Sequence, residues 1–204
     1  MPLVIHPRVR KAVTRIAVLT GLAVLAGPGP ALAACPAQAL STPFSQWDDG
    51  HSYFPVPGGS FEGSAEQVGW SLSGASLSPG NEPFSADGSA DAQSLRIDGG
   101  GSATSPYFCV DSTMSSLRFF AQQLAAGSDL EVTALVRTRY GVLAVPVAEL
   151  ADGSMPAWAP TQPFGGETRA LGDDCVMAAL RFSVPASAGS WQVDDVYIDP
   201  YRSG

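Results

Sequence analysis

The chain has two histidines and a single lysine, and His6 and Lys11 both lie within its first eleven residues. Beyond them every cation is arginine, and His51 is the sole imidazole. Ser-His-Asp catalysis would have to run through that one ring, and a lone histidine in a loop is ordinarily a solvent-facing residue. There is no G-x-S-x-G elbow, no strand–G-x-G-x-x-G–helix unit and no phosphate-binding loop. The sequence therefore carries no signature of a hydrolase, a dinucleotide enzyme or an NTPase. Cysteine is scarce too. Cys35, Cys109 and Cys175 show no C-x-x-C or Cys/His spacing, which argues against zinc.

Long apolar runs are confined to the N-terminus. Arg8, Arg10, Lys11 and Arg15 flank an apolar run over 16–26 that is too short to span a bilayer as a mature helix. Gly27-Pro28-Gly29-Pro30 breaks it, and Ala31-Leu32-Ala33 has the A-x-A form of a cleavage site. Residues 1–33 read as a cleaved signal peptide and 34–204 as one secreted, extracellular domain. Leu32-Ala33-Ala34-Cys35 also fits a lipobox, and under that alternative the protein is lipid-anchored at Cys35. Without the signal, seven arginines face nineteen Asp and Glu residues, a net charge of about −12. Such a surface repels phosphate backbones and anionic lipid, so nucleic acid is excluded as a partner and no membrane insertion follows signal removal. Outside the membrane disulfides persist, and three cysteines are an odd number. Cys35–Cys109 would staple the N-terminus to an internal strand and leave Cys175 over. Cys109–Cys175 is the competing pair, and the better one if Cys35 carries lipid.

Helical periodicity never holds for more than two turns after the signal. Short period-2 segments recur instead, near 52–56, 68–73, 94–97, 103–110, 116–122, 130–138, 140–147, 175–184 and 191–198. Turn residues separate them at Pro79-Gly80-Asn81, Asp98-Gly99-Gly100-Gly101, Ala126-Gly127-Ser128-Asp129 and Ala186-Ser187-Ala188-Gly189. About nine such strands predict an all-β sandwich or barrel. Leu117, Phe119 and Ala121 are expected to face inward and Arg118, Phe120 and Gln122 outward. Arg118, Glu131 and Arg181 would then form charged rungs on a solvated face. The longest irregular stretch, 151–171, holds Trp158 and Phe164, and loops of this length are often functional.

Carboxylates come in adjacent pairs. Asp48-Asp49 and Asp173-Asp174 lie in turn sequences, and neighbours on a strand point to opposite faces, so neither makes a glycosidase couple alone. Asp194-Asp195 differs, because it interrupts the apolar stretch Trp191-Gln192-Val193 and Val196-Tyr197-Ile198. Buried carboxylates are costly unless compensated. Two readings stand: a calcium site joining the first and last segments, or Asp194 capping backbone N–H groups at a bulge.

Gly58-Gly59-Ser60-Phe61-Glu62, Val68-Gly69-Trp70 and Trp191-Gln192-Val193-Asp194-Asp195-Val196 resemble the opening and closing motifs of galactose-binding-like sandwiches. They are similar to those of carbohydrate-binding modules of families 4 and 22. The chain from Cys35 to Tyr201 also resembles a group of uncharacterised secreted proteins of high-GC Gram-positive bacteria. It does so through Cys35-Pro36, Phe44-x-x-Trp47, Gly80-Asn81-Glu82-Pro83, Ser105-Pro106-x-x-Cys109-Val110 and Asp194-Asp195-Val196-Tyr197-x-Asp199-Pro200-Tyr201. The resemblance implies an antiparallel jelly-roll β-sandwich with a structural Ca2+. The ion's ligands would be Asp194, the Ser60 carbonyl and Glu62. It also implies a polysaccharide or glycan as partner, but sugar-binding aromatics do not carry over by position. Trp47, Tyr107 and Trp158 are the candidates, although packing is the ordinary role of such residues; Trp70 and Trp191 are assigned to the core. The expected function is a secreted, non-catalytic binding module, carbohydrate-binding in the first instance. The alternative is a cell-envelope structural or interaction protein without a small-molecule ligand, with a hydrolase third.

Overall fold

A computed structural model describes residues 35–86, 91–111, 114, 116–165 and 175–200. The signal peptide, its cleavage site, the Gly172-Asp173-Asp174 turn and Tyr201 lie outside the described residues. Among the described residues eleven antiparallel strands follow one another: β1 Phe54–Pro55, β2 Ser71–Pro79, β3 Gln93–Thr104, β4 Phe108–Val110, β5 Ser116–Ala125, β6 Leu130–Thr138, β7 Gly141–Leu150, β8 Ala159–Pro160, β9 Phe164–Gly165, β10 Val176–Ser183 and β11 Ser190–Asp199. A single-turn helix, α1 (Ala65–Val68), is closed at its start by a reciprocal Ser64/Gln67 capping box. The strand expected to begin at Val68 therefore starts only at Ser71. Among the described residues no helix is long and apolar enough to cross a membrane.

All the strands belong to one sheet ordered β7-β6-β10-β3-β11-β5-β8. It curls into the two layers of a jelly roll because β3 changes partner part-way along. Leu95–Asp98 pair with β11, whereas Ser102–Thr104 pair with β10. The turn expected at Asp98-Gly99-Gly100-Gly101 is thus the bend of one long strand. Opposite it β2 slips register between Ser73 and Ala75. Glycine is needed at the bend because a Cβ on Gly101 would lie 2.3 Å from the Gly74 carbonyl oxygen.

The main core fills the space between the layers, with Leu95, Ile97, Phe119, Phe182 and Trp191 all at 0% exposure. Trp70 is buried there too, its indole N–H donating to the Pro57 carbonyl at 3.0 Å. A second cluster of Phe44, Tyr53, Phe120 and Tyr197 lies apart from it. There residues of the N-terminal segment cover the outer face of β5 and β11. β11 and residues 117–121 of β5 are consequently buried on both faces, and the alternation expected for β5 fails. Phe120 is fully buried, and Arg118, expected to face solvent, is 4% exposed. Arg181 and Glu131 are exposed as expected. Arg181 reaches the Ser102 hydroxyl at 3.2 Å, and no ion pair among the described residues links it to Glu131.

Candidate functional site

β11 is buried up to Val193 and then bulges. Its pairing with β5 shifts between Asp194 and Tyr197, and Asp195 adopts a left-handed φ of 49°. The bulge brings two consecutive carboxylates to one side, where strict alternation would put them on opposite faces; Asp194 and Asp195 are 0% and 1% exposed. The opening segment is laced to this point. Val56 N donates to Val196 O at 2.8 Å, and Val196 N donates to Gly59 O at 3.1 Å. Phe61, two residues on, also takes a left-handed φ of 56°. A non-glycine residue there is strained, and strain of this kind gathers where the surroundings over-determine the backbone.

Acidic side chains converge beside the bulge. Asp194 Oδ2 accepts from Glu82 N at 3.1 Å, and Oδ1 accepts from Asp195 N at 3.0 Å. The wholly buried Glu82 accepts from the backbone N–H groups of Phe84 and, at 2.6 Å, of Ala86. Carboxylate oxygens of Glu82, Asp91 and Asp195 lie within 4.8 Å of one another. Both Asp91 oxygens are buried and accept no hydrogen bond of normal geometry. Glu62 stands beside Asp91, with Oε1 accepting from Ala92 N and Gln93 N at 2.7 Å each. Burial, then the charges of Asp195 and Asp91, push Asp194 up to about 9. Burial and the neighbouring Glu62 push Asp91 up to about 7. Burial also pushes Glu62 up, but its backbone N–H donors outweigh this and hold it below the usual range.

An all-oxygen donor set suits a hard cation. Calcium takes oxygens at about 2.4 Å, so ligands on opposite sides of the ion stand roughly 4.8 Å apart. Oxygens of Glu82, Asp91 and Asp195 that lie within 4.8 Å of one another are close enough to share one such ion, and no cationic side chain among the described residues pairs with Glu82, Asp91 or Asp194. Of the ligands expected from sequence, Asp194 sits at the margin of the cluster with each oxygen already on a backbone N–H. Glu62 stands behind Asp91, and no described contact joins Ser60 to the group. Glu82 and Asp91 were not singled out. The one available signal was an acid following the Pro79-Gly80-Asn81 turn.

A groove of about 810 Å³ opens on the other side of β5. Trp47 walls it, with Asp48, Asp49 and His51 from the same segment and Ala159, Pro160 and Gln162 opposite. Its floor is the ion pair of Arg118 with Asp49. The guanidinium lies 4.2 Å from the Phe44 ring centroid and donates through Nε to Thr161 O at 2.7 Å. Asp49 also accepts from Tyr53 OH at 2.7 Å and from His51 N at 3.1 Å. Burial pushes the Asp49 carboxyl up, but these donors and Arg118 outweigh it and hold the group below the carboxylate range. Burial and the Asp49 carboxylate push the Tyr53 phenol far up. His51 Nδ1 lies 3.3 Å from Asp199 Oδ2.

The three aromatics expected to meet ligand do not share a site. Trp47 is half-buried and lines the groove, held edge-on to Phe84 with ring centroids 4.9 Å apart. Trp158 packs against the second aromatic cluster, next to the lining residue Ala159. Tyr107 belongs elsewhere, with the Arg137 guanidinium 3.8 Å above its ring. The three cysteines do come together. The Cys109 Cα is 5.5 Å from that of Cys35 and 5.4 Å from that of Cys175. The three sulfurs all lie within 4.8 Å of one another.

No protein-family model and no curated protein matches this chain. Among solved structures, the fold is similar to the CBM22-1 xylan-binding domain of Paenibacillus barcinonensis Xyn10C. The TM-score is 0.50 at 13% identity, over 82% of this chain and 100% of that one. Weaker likenesses include a putative sugar-binding protein from Bacteroides thetaiotaomicron (TM-score 0.42, 10% identity, 71% of this chain and 91% of that one). A family 16 carbohydrate-binding module also appears (TM-score 0.41, 18% identity, 64% and 89%).

Proposed function

We propose that this protein is an exported, non-catalytic carbohydrate-binding module whose glycan lies in the groove walled by Trp47. A fold does not name a ligand, so the groove carries the reading. It offers one half-buried indole for stacking on a sugar face, beside exposed polar groups (Asp48, His51 and Gln162) that can bond hydroxyls. The Arg118–Asp49 floor is already neutralised internally, so the groove suits an uncharged polysaccharide better than a polyanion. The xylan-binding domain with the same fold supports testing a β-linked xylan first.

Calorimetry of the secreted domain with soluble xylan and a panel of neutral glucans and galactans tests the proposal. Binding is expected for at least one polysaccharide, with a loss of tenfold or more in Trp47→Ala, which removes a stacking contact of the order of 1.4 kcal/mol. Tyr107→Ala, remote from the groove, should bind as wild type. A Trp47→Ala variant with unchanged affinity removes the groove from the reading.

We also propose that Glu82, Asp91 and Asp195 hold a structural calcium ion, with Asp194 and Glu62 supporting them. The support is the mutual distance of the oxygens and the absence of a described cation to offset Glu82, Asp91 and Asp194. The ion would fasten the connection between β2 and β3, with Glu62 of the opening segment beside it, to β11.

A further inference from the structure

Cys109, on β4, has two possible partners. Its Cα distances of 5.5 Å to Cys35 and 5.4 Å to Cys175 both fall in the range that a disulfide spans without moving the backbone. One sulfur forms only one such bond, so the two pairings are alternatives, and whichever forms leaves the third cysteine's sulfur within 4.8 Å of the others. Cys109 is buried, while Cys35 and Cys175 are both partly exposed. The shared partner is therefore the shielded sulfur, and either outer cysteine can lose its proton to solvent.

We propose that Cys109 is the pivot of an internal thiol–disulfide exchange. The Cys175 thiolate attacks Cys109 Sγ of the Cys35–Cys109 bond. The Cys109–Cys175 bond forms, and Cys35 leaves as a thiolate that takes up a proton. The reverse attack restores the first pairing. One S–S bond forms as one breaks, so no electrons are gained or lost and no oxidant or reductant is consumed. In the first state residue 35 is pinned to β4. In the second the entry to β10 is pinned, and Cys35 becomes a partly exposed free thiol, open to a mixed disulfide with an external thiol. This inference is independent of the glycan and calcium readings.

The test quenches the native secreted protein in acid, alkylates free thiols and maps linked peptides by mass spectrometry. Two species are expected, Cys35–Cys109 with alkylated Cys175 and Cys109–Cys175 with alkylated Cys35. Cys175→Ser should retain only the first linkage and Cys35→Ser only the second, each with wild-type near-ultraviolet dichroism. A single linkage in the wild-type protein overturns the exchange. So does a folded Cys35→Ser or Cys175→Ser variant that shows two free thiols and no disulfide.

Discussion

Arg118 and Asp49 form an ion pair almost out of reach of water, with side-chain exposures of 5% and 14%. Breaking such a pair costs more than the pair contributes, because the remaining charge stays buried alone. Arg118→Met should destabilise the fold by about 3 kcal/mol in urea denaturation. The double variant Arg118→Met with Asp49→Asn should recover part of that loss. The sign of the pH effect follows from the lowered Asp49 pKa. Its contribution is complete above the unfolded carboxylate range and disappears as pH falls through the lower folded value. The stability gap between wild type and Asp49→Asn should therefore shrink steadily on acidification and close at low pH. A gap independent of pH would mean that Asp49 acts by shape and not by charge. Nothing in the letters of β5 announces this arginine's burial. The partner layer is supplied by Phe44, Asp49 and Tyr53, at least sixty-five residues earlier in the chain.

The bend in β3 sets the curl of the whole sheet, and its three glycines are not equivalent. Gly101 has the Gly74 carbonyl against it, whereas Gly100 sits at φ +81° with open space around its Cβ position. Gly101→Ala should cost about 2–3 kcal/mol, in the range of overpacking. Gly100→Ala should cost about 1 kcal/mol, the conformational penalty alone. Thermal melts of the two variants check the order, and equal losses would show that crowding against β2 is not what the glycine avoids. Strands with one solvated face, such as β6, were legible in the sequence to the residue, because period-2 alternation encodes one-sided burial. β3 read as two strands because glycine marks a bend and a turn alike. The Asp194-Asp195 anomaly was legible as well. Glu82 and Asp91 were not, since only the folded chain brings them to the bulge.

At the scale of the molecule, the carboxylate cluster joins the connection between β2 and β3 to β11. Calcium bound only by the folded state would stabilise it by roughly 2.7 kcal/mol when present at about 100 times its Kd. For a domain of this size that shifts the melting temperature by about 5–10 °C. Chelation with EDTA should produce that drop, and Glu82→Gln together with Asp91→Asn should abolish it. Melts of wild type that coincide with and without chelator would leave Asp194 as a cap on two backbone amides. The position of β11 has a further consequence, for the order of events in folding. The last strand is buried along its whole length and lies between β3 and β5, with β1 paired to it as well. β2 covers one edge of the first half of β3, but its other edge and the facing edge of β5 have no partner until residues 190–199 exist. The pairings of β2 with β3 and of β6 with β7 and β10 can form before that point, but nothing yet joins β3 to β5. The pairing that unites the two halves of the sheet therefore comes after the others, and folding is expected to stay incomplete until residues 190–199 are available.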